Sequence, residues 1–515
     1  MNMKRFNMKG LVLLVFLSIF NFQFSISKAQ DRIMLIADPH VFPQALIAQE
    51  ADFESYMSQQ RKMVDLSEPI WDALMDTALA QQPSLILIPG DLTRDGEAGS
   101  HAYVSASLQA LRAQGIPSLV IPGNHDLPDA TWESLYFGAN DVYAKDPNSH
   151  SYATEPLQGL TVIGIDGSDG NAGTGKLSAA SLAWILAQAD TAVAHGRTII
   201  AMCHWQILEH FDKQGDLESS CRMANADALR DSLMAHGVHL VLTGHFHVNG
   251  ITTFRDTTGL TNDSLVEITT GSPITYPCPY RWLNLSADRS SIDVTTDYLT
   301  SVDTISDLNT YSRDWMAEHT ANMVPALANK AWGKIDANWD TKVVPKLRLM
   351  GLGPVTIALI KAKLPKTEAE RVDLTQRYLE EPAVNMYLFH SEANEHERPE
   401  LGQELANAVY EGMNGMMGEV FSSFIEYLGI FQMVARQMAQ VPVQSLVENT
   451  TLWGTSYPDL TNDLLLSLTL NAPQIITGIS NDELQTTTIK LLRDGQLIIL
   501  RNGIEYDVMG RSLKR

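Results

Sequence analysis

Between residues 31 and 297, short apolar runs alternate with stretches of helical periodicity. The runs read IMLIA (33–37), LILI (85–88), SLVI (118–121), TVIGI (161–165), TIIAM (198–202) and HLVLT (239–243). Each is short, apolar and rich in β-branched residues or leucine, the pattern of a strand buried on both faces. Between them, 69–80 repeats apolar residues as a helix does, with Ser67 as the expected N-cap and Ile70, Leu74 and Ala78 along one face. The stretch LSAASLAWILAQA (177–189) predicts a second helix. Strands separated by helices predict a layered α/β domain over residues 30–300.

Beyond about Ser301 the strand pattern stops until roughly Leu470, and Trp, Met and Ala recur at helical spacing. Residues 301–475 are therefore expected to be mainly helical. The segment 420–441 carries apolar residues on more than one face, which suits a helical bundle docked on the α/β domain. The end of the chain, 480–515, reads as short strands joined by Arg-Asp-Gly, Arg-Asn-Gly and Met-Gly turns.

The N-terminus adds a targeting expectation. Lys4, Arg5 and Lys9 precede an apolar run over 11–20, and Ser27-Lys28-Ala29 offers small residues for cleavage, so 1–29 reads as a signal peptide. The alternative, an uncleaved anchor, is disfavoured by Asn21 and Gln23, and no cysteine follows for lipidation. No later run is apolar and long enough to span a bilayer, so an exported, soluble, periplasmic or extracellular protein is expected. Losing Lys4, Arg5, Lys9 and Lys28 with no acidic residue takes the formal charge from −23 to −27. Such acidity argues against a nucleic-acid polymer or an anionic membrane as partner. Of three cysteines, Cys203 falls in a strand and Cys221 and Cys278 in loops; a bond between the latter two or unpaired thiols are both open.

Five of the apolar runs end in chemistry. Asp38-Pro39-His40 follows the first, Gly90-Asp91 the second and Gly123-Asn124-His125-Asp126 the third. His204 follows TIIAM, and Gly244-His245-Phe246-His247 follows HLVLT. In α/β sheets, functional groups gather beyond the carboxyl ends of strands. Carboxylate, imidazole and amide donors without thiolate suit divalent Mn, Fe or Zn in an open site. Two Asp, one Asn and four His exceed the needs of one tetrahedral ion and suffice for two if a carboxylate bridges. With two such ions and a hydroxide the site keeps a charge of about +1, which explains how an acidic chain could hold an anion.

In this order, DPH, GD, GNHD, H and GHFH resemble the calcineurin-like metallophosphoesterases, and GDLTRDGE (90–97) looks most like their class III cyclic-nucleotide and glycerophosphodiesterase branch. The resemblance covers about 31–300. It implies a four-layer α/β-β/α sandwich with a dinuclear centre. Asp38, His40 and His247 would hold one ion, Asp91 would bridge, and Asn124, His204 and His245 would hold the other. His125 would stay off the metals and face the phosphoryl group, oriented by Asp126. The implied reaction is in-line attack by a hydroxide held between the ions on a small phosphodiester, with His125 as acid or transition-state stabiliser. A phosphomonoesterase, a lipid-headgroup phosphodiesterase of the sphingomyelinase type, with the helical region as lid or platform, and an inactive binding protein on the same scaffold are the alternatives.

Purple acid phosphatases are similar but place a metal-binding Tyr where this chain has Arg94, and the helical region does not resemble the second domain of 5′-nucleotidases. Outside the motifs, His210, Tyr280 and Arg281 are candidate substrate contacts, each with an ordinary surface or loop role as the alternative. The stretch LFHSEANEHERPE (388–400) gathers His390, Glu392, Glu395, His396 and Glu397, which suits a solvated helix start, with reach into the active site or binding of another cation as the alternatives.

Overall fold

The computed structural model describes residues 30–138, 141, 143–168, 173–210, 214, 219–256, 264–349, 351–394, 397–421, 463, 466–470, 488–493, 496–501 and 504–506. The expected signal peptide, most of 420–441, and Glu395 and His396 lie outside them.

All six predicted runs are strands. The first three are β1 (Asp31–Leu35), β2 (Leu85–Pro89) and β3 (Ser118–Ile121), parallel neighbours in one sheet. The others are β6 (Leu160–Ile165), β7 (Thr198–Cys203) and β8 (Leu240–Thr243), parallel in a second sheet. That second sheet begins with β4 (Tyr143–Lys145) and β5 (Tyr152–Leu157) and ends with β9 (Gly250–Arg255) and β10 (Ser264–Thr269), in the order β4-β5-β6-β7-β8-β10-β9. Next to β1 the first sheet adds β11 (Pro279–Leu285) and β12 (Ser291–Tyr298), both antiparallel. These added strands escape the sequence reading because segments such as GITTFR and SIDVTTDY mix polar and apolar positions.

Strand geometry explains how the two sheets stack. Successive side chains point to opposite faces. Along β6, Leu160 and Val162 enter a core shared with β1, β2 and β3, while Ile163 and Ile165 enter a second core. Along β7, Ile200 and Met202 join the first, and Ile199, Ala201 and Cys203 the second. The first core thus joins the sheet–sheet interface to the other face of the first sheet, because consecutive residues of β1 and β2 belong to it, and helices α1 (Ser67–Gln81) and α2 (Ala98–Ala113) contribute Ile70, Trp71, Leu74 and Leu108. The second core lies under α3 (Ala179–Ala194) and α4 (Ala226–Ala235). This is the layered α/β architecture expected. Ser67 differs from its predicted capping role: it is buried in the first turn of α1, and its hydroxyl accepts the Phe42 N–H at 2.9 Å.

The helical region holds α5 (Leu308–Ala337), α6 (Glu368–Glu392) and α7 (Pro399–Phe421). It packs on the α/β layers through Tyr276, Met316 and Leu388, and Tyr276 donates its hydroxyl to Glu392 at 2.9 Å. After the helices, β13 (Leu466–Thr469) returns to the first sheet as an antiparallel edge strand on β12. The sequence reading places no strand there, because a four-residue, half-exposed edge has little apolar content to mark it. Residues 473–515 form a separate unit, with β14 (Thr488–Arg493), β15 (Gln496–Arg501) and β16 (Ile504–Tyr506) in an antiparallel meander.

Candidate metal centre

The motif-bearing strands of both sheets end at the same edge, so their loops converge. Pairing continues past the strand ends: His40 N–H donates to Asp91 O at 2.9 Å and Gly244 N–H to His204 O at 3.0 Å. Five candidate ligands sit at positive φ: Asp38 at 51°, His40 at 41°, Asp91 at 48°, His245 at 66° and His247 at 60°. The left-handed region costs a non-glycine residue on the order of 1 kcal/mol or more, and such strain concentrates at functional sites. Two glycines make room for the carboxylates. A Cβ at Gly123 would lie 2.1 Å from Asp91 Oδ1, and one at Gly244 would lie 2.2 Å from Asp38 Oδ2.

Two groups of donors result, one from Asp38, His40, Asp91 and His247, the other from Asp91, His204 and His245. Within each group the donor atoms lie within 4.8 Å of one another, and Asp91 belongs to both. His40 Nε2 faces His247 Nε2 at 3.0 Å, and His204 Nε2 faces His245 Nδ1 and the Asn124 Oδ1 at 3.0 Å each. Asp91 Oδ2 is 3.5 Å from His40 Nε2 and 3.3 Å from His204 Nε2. Lone-pair donors turned toward one another in a buried space fit a pair of cations sharing one carboxylate. The chain also fixes the ligands from behind. His204 Nδ1–H donates to Pro89 O at 2.9 Å, leaving Nε2 for the centre, and Asp38 accepts the His245 N–H at 2.9 Å.

Charge follows the same geometry. Burial pushes the Asp91 carboxyl up, but His204 and His40 outweigh it and hold it well below the usual range. Burial lowers His204, yet the Asp91 carboxylate beside it raises it to about 9. Burial and then His204 bring His245 down to about 3.

His125 stands beside the donors, its ring 4.9 Å from that of His40, and its N–H donates to Asp91 Oδ1 at 2.9 Å. Its Nδ1 is paired with Asp95 Oδ1 at 2.7 Å. This corrects the expectation for Asp126. That carboxylate is fully buried and accepts the N–H groups of Thr93 and Gly123 at 2.9 and 2.8 Å, so it ties the second and third motif loops together without touching the ring. Behind it, His101 hydrogen-bonds Asp126 O at 2.9 Å and the Tyr136 hydroxyl at 2.6 Å.

The other candidates are placed away from the donors. His210 is buried with Nε2 3.1 Å from Glu267 Oε1. Arg281 is fully buried in β11, donating to Asn249 Oδ1 and to Asp463 O, and Tyr280 packs on Trp282. Glu392 is taken up by Tyr276, whereas His390 does line the cleft next to the centre, its ring 5.6 Å from that of Phe246. Arg94 points away, bonded to Glu50 and Glu97 and laid over Phe42. Cys203, Cys221 and Cys278 are thiols, so the bond considered between Cys221 and Cys278 is not formed.

Three residues with a bearing on the centre went unread. Asp95 is the second acid of GDLTRDGE. Glu267 is fully buried on β10 and accepts from Ile207 N, Leu208 N and Thr243 Oγ1 at 2.7–2.9 Å; a charge inside the run SLVEIT was its signal. Lys62 lines the cleft; burial draws its pKa below the ordinary lysine value, while Asp91, Asp95 and Asp38 pull the other way. Its signal was an adjacent pair of cations, Arg61-Lys62, in an acidic chain.

Residues 31–249 match the family model described as calcineurin-like phosphoesterase. Among curated relatives, the chain is 28% identical over 194 residues to a probable cyclic nucleotide phosphodiesterase of Rhodococcus erythropolis, covering 37% of this chain and 60% of that protein. It is 26% identical over 226 residues to a probable cyclic nucleotide phosphodiesterase of Synechococcus, covering 40% of this chain and 77% of that one. The chain therefore spans about three fifths of the first of these relatives. Among solved structures it is similar to a dimetal phosphatase from Danio rerio, with TM-score 0.40, 16% identity, and coverage of 52% of this chain and 96% of the other.

Proposed function

We propose that this chain, whose residues 31–249 match the calcineurin-like phosphoesterase model, is a metal-dependent phosphoester hydrolase that cleaves a small phosphodiester outside the cytoplasm. The observation that carries the reading is Asp91, shared by two donor groups and hydrogen-bonded to the backbone of His125. Asp38, His40 and His247 would hold one divalent ion and Asn124, His204 and His245 the other. Bound there, the ions supply a hydroxide nucleophile near neutral pH and neutralise charge on the phosphoryl oxygens.

The remaining work falls to the chain. Asp95 accepts Nδ1–H of His125 and so turns Nε2 toward the leaving oxygen, to which the ring in its imidazolium form would give the Nε2 proton. Asp126, through Thr93 and Gly123, keeps the loops of Asp91 and His125 in register. The names of the relatives support a diester over a monoester, and the basic-then-apolar N-terminus supports export.

The test compares bis-p-nitrophenyl phosphate with p-nitrophenyl phosphate on the full mature chain loaded with Mn or Zn. Faster turnover of the diester is expected. Preference for the monoester overturns the diesterase reading, and turnover of neither with metal bound favours a binding protein.

A further inference from the structure

A cleft of about 290 Å³ opens beside His245 and His247. The segment 59–62 lines it with Arg61 and Lys62, the loop of the last motif with Phe246, and the helical region with Met316 and Met323 of α5 and Tyr387, His390 and Ser391 of α6. We propose that Lys62, aided by Arg61, holds the phosphoryl oxyanion and that the helical wall seats the alcohol portion, so that the site prefers diesters bearing an aryl or similarly flat apolar group. This deepens the phosphodiesterase reading and rests on it.

Lys62 is half-buried and makes no hydrogen bond or ion pair with any described residue. A cation drawn from water without a partner is unfavourable unless a ligand supplies the counter-charge. The carboxylates within its electrostatic reach, Asp91, Asp95 and Asp38, are already committed, two to the metal donors and one to His125. Once divalent ions neutralise the donors, the ammonium faces net positive charge, and an anionic phosphoryl group is the complement. The segment is anchored for this task. Met63 N–H donates to Ile274 O at 2.8 Å, and the Arg61 guanidinium lies 4.5 Å from the Tyr387 ring centroid. Stacking through its face leaves the N–H edge of Arg61 for acceptors.

Met316, Met323, Tyr387 and Phe246 bring two thioethers and two rings to the lining, beside the polar His390 and Ser391, which favours flat groups. The helical side is fixed, because Met316 packs with Tyr276 and Leu388 and α6 is tied down through Glu392. At about 290 Å³ the cleft stands at the lower end of small-ligand sites, which suits a single ring.

Phosphinates test this without turnover, since their P–C bonds are not hydrolysed. Diphenylphosphinate and dimethylphosphinate are titrated calorimetrically into the Mn-loaded full chain. Diphenylphosphinate is expected to bind at least about tenfold tighter. Lys62→Ala should weaken both by a similar factor, about tenfold, with bound Mn unchanged, and Lys62→Arg should restore most of it. Met323→Ala should shrink the aryl preference to under about threefold and leave dimethylphosphinate unaltered. Equal binding of both phosphinates by the wild type overturns the apolar wall. Unchanged binding, or loss of Mn, in Lys62→Ala overturns the anion anchor. The two readings fail separately: this binding pattern without diester turnover ends the diesterase reading alone, and diester turnover without the pattern ends this one.

Discussion

An imidazole that delivers a proton works best with one ring nitrogen pinned, and Asp95 does the pinning at 2.7 Å. Because His125 lies outside both donor groups, His125→Ala should leave bound metal unchanged by elemental analysis and slow turnover by about 10²- to 10⁴-fold. Asp95→Asn should give a smaller loss, on the order of tenfold, since the ring remains but loses its anionic partner. Loss of metal in His125→Ala would refute the division of labour. His204 offers a second prediction. In the metal-free protein Asp91 raises it to about 9, so below that pH it holds a proton that a metal ion must displace. Metal affinity at the site that includes His204 should therefore climb with pH and level off near 9, with about one proton released when that site is filled at neutral pH, read by calorimetry in buffers of different ionisation enthalpy. A pH-independent affinity would mean that Asp91 and His204 are not ligands together.

Among the elements, the ends of β7 and β8 matter most, and a residue of neither strand holds them. Glu267 on β10 accepts two backbone N–H groups from the loop after His204 and the Thr243 hydroxyl just before Gly244-His245. Glu267→Ala would strand those donors in the interior, at a cost of roughly 3 kcal/mol or more in stability. Because both loops carry metal ligands, the same variant should hold metal more weakly, and chemical denaturation with metal analysis checks both; an unchanged midpoint would show the network to be dispensable. This network also marks the limit of what the sequence discloses. The parallel strands were legible because each joins a continuous apolar run to a glycine-flanked ligand, two signals in phase. Asp126 misled because adjacency to His125 suggested contact, whereas in the turn 124–126 its carboxylate is taken up by the N–H groups of Thr93 and Gly123. Asp95, Lys62 and Tyr387 act across loops and layers, and no local periodicity encodes which distant segment a side chain will face.

At the scale of the whole molecule, the helical region is an excursion from the first sheet and not an appendage. It leaves after β12 and the chain returns as β13, with Asp463 accepting from the buried Arg281 and from Ile251 N on the way. The wall of the cleft is therefore held at both ends by the α/β layers. The chain as a whole is strongly acidic, with formal charge −23, yet its proposed substrate is an anion. Distance separates the opposing effects. At about 0.01 M salt the screening length is about 30 Å, so an approaching diester feels the whole repulsive surface; near 0.15 M it is about 8 Å, and only the cleft with its cations counts. Raising salt between those limits should increase kcat/KM for bis-p-nitrophenyl phosphate by a few-fold, roughly, with kcat unchanged, because only the encounter is affected. The dianionic p-nitrophenyl phosphate, if turned over at all, should gain more than the monoanion. A decrease with salt would mean that Lys62, Arg61 and the bound ions govern the approach from long range, and that the acidic surface lies too far from the cleft to oppose them.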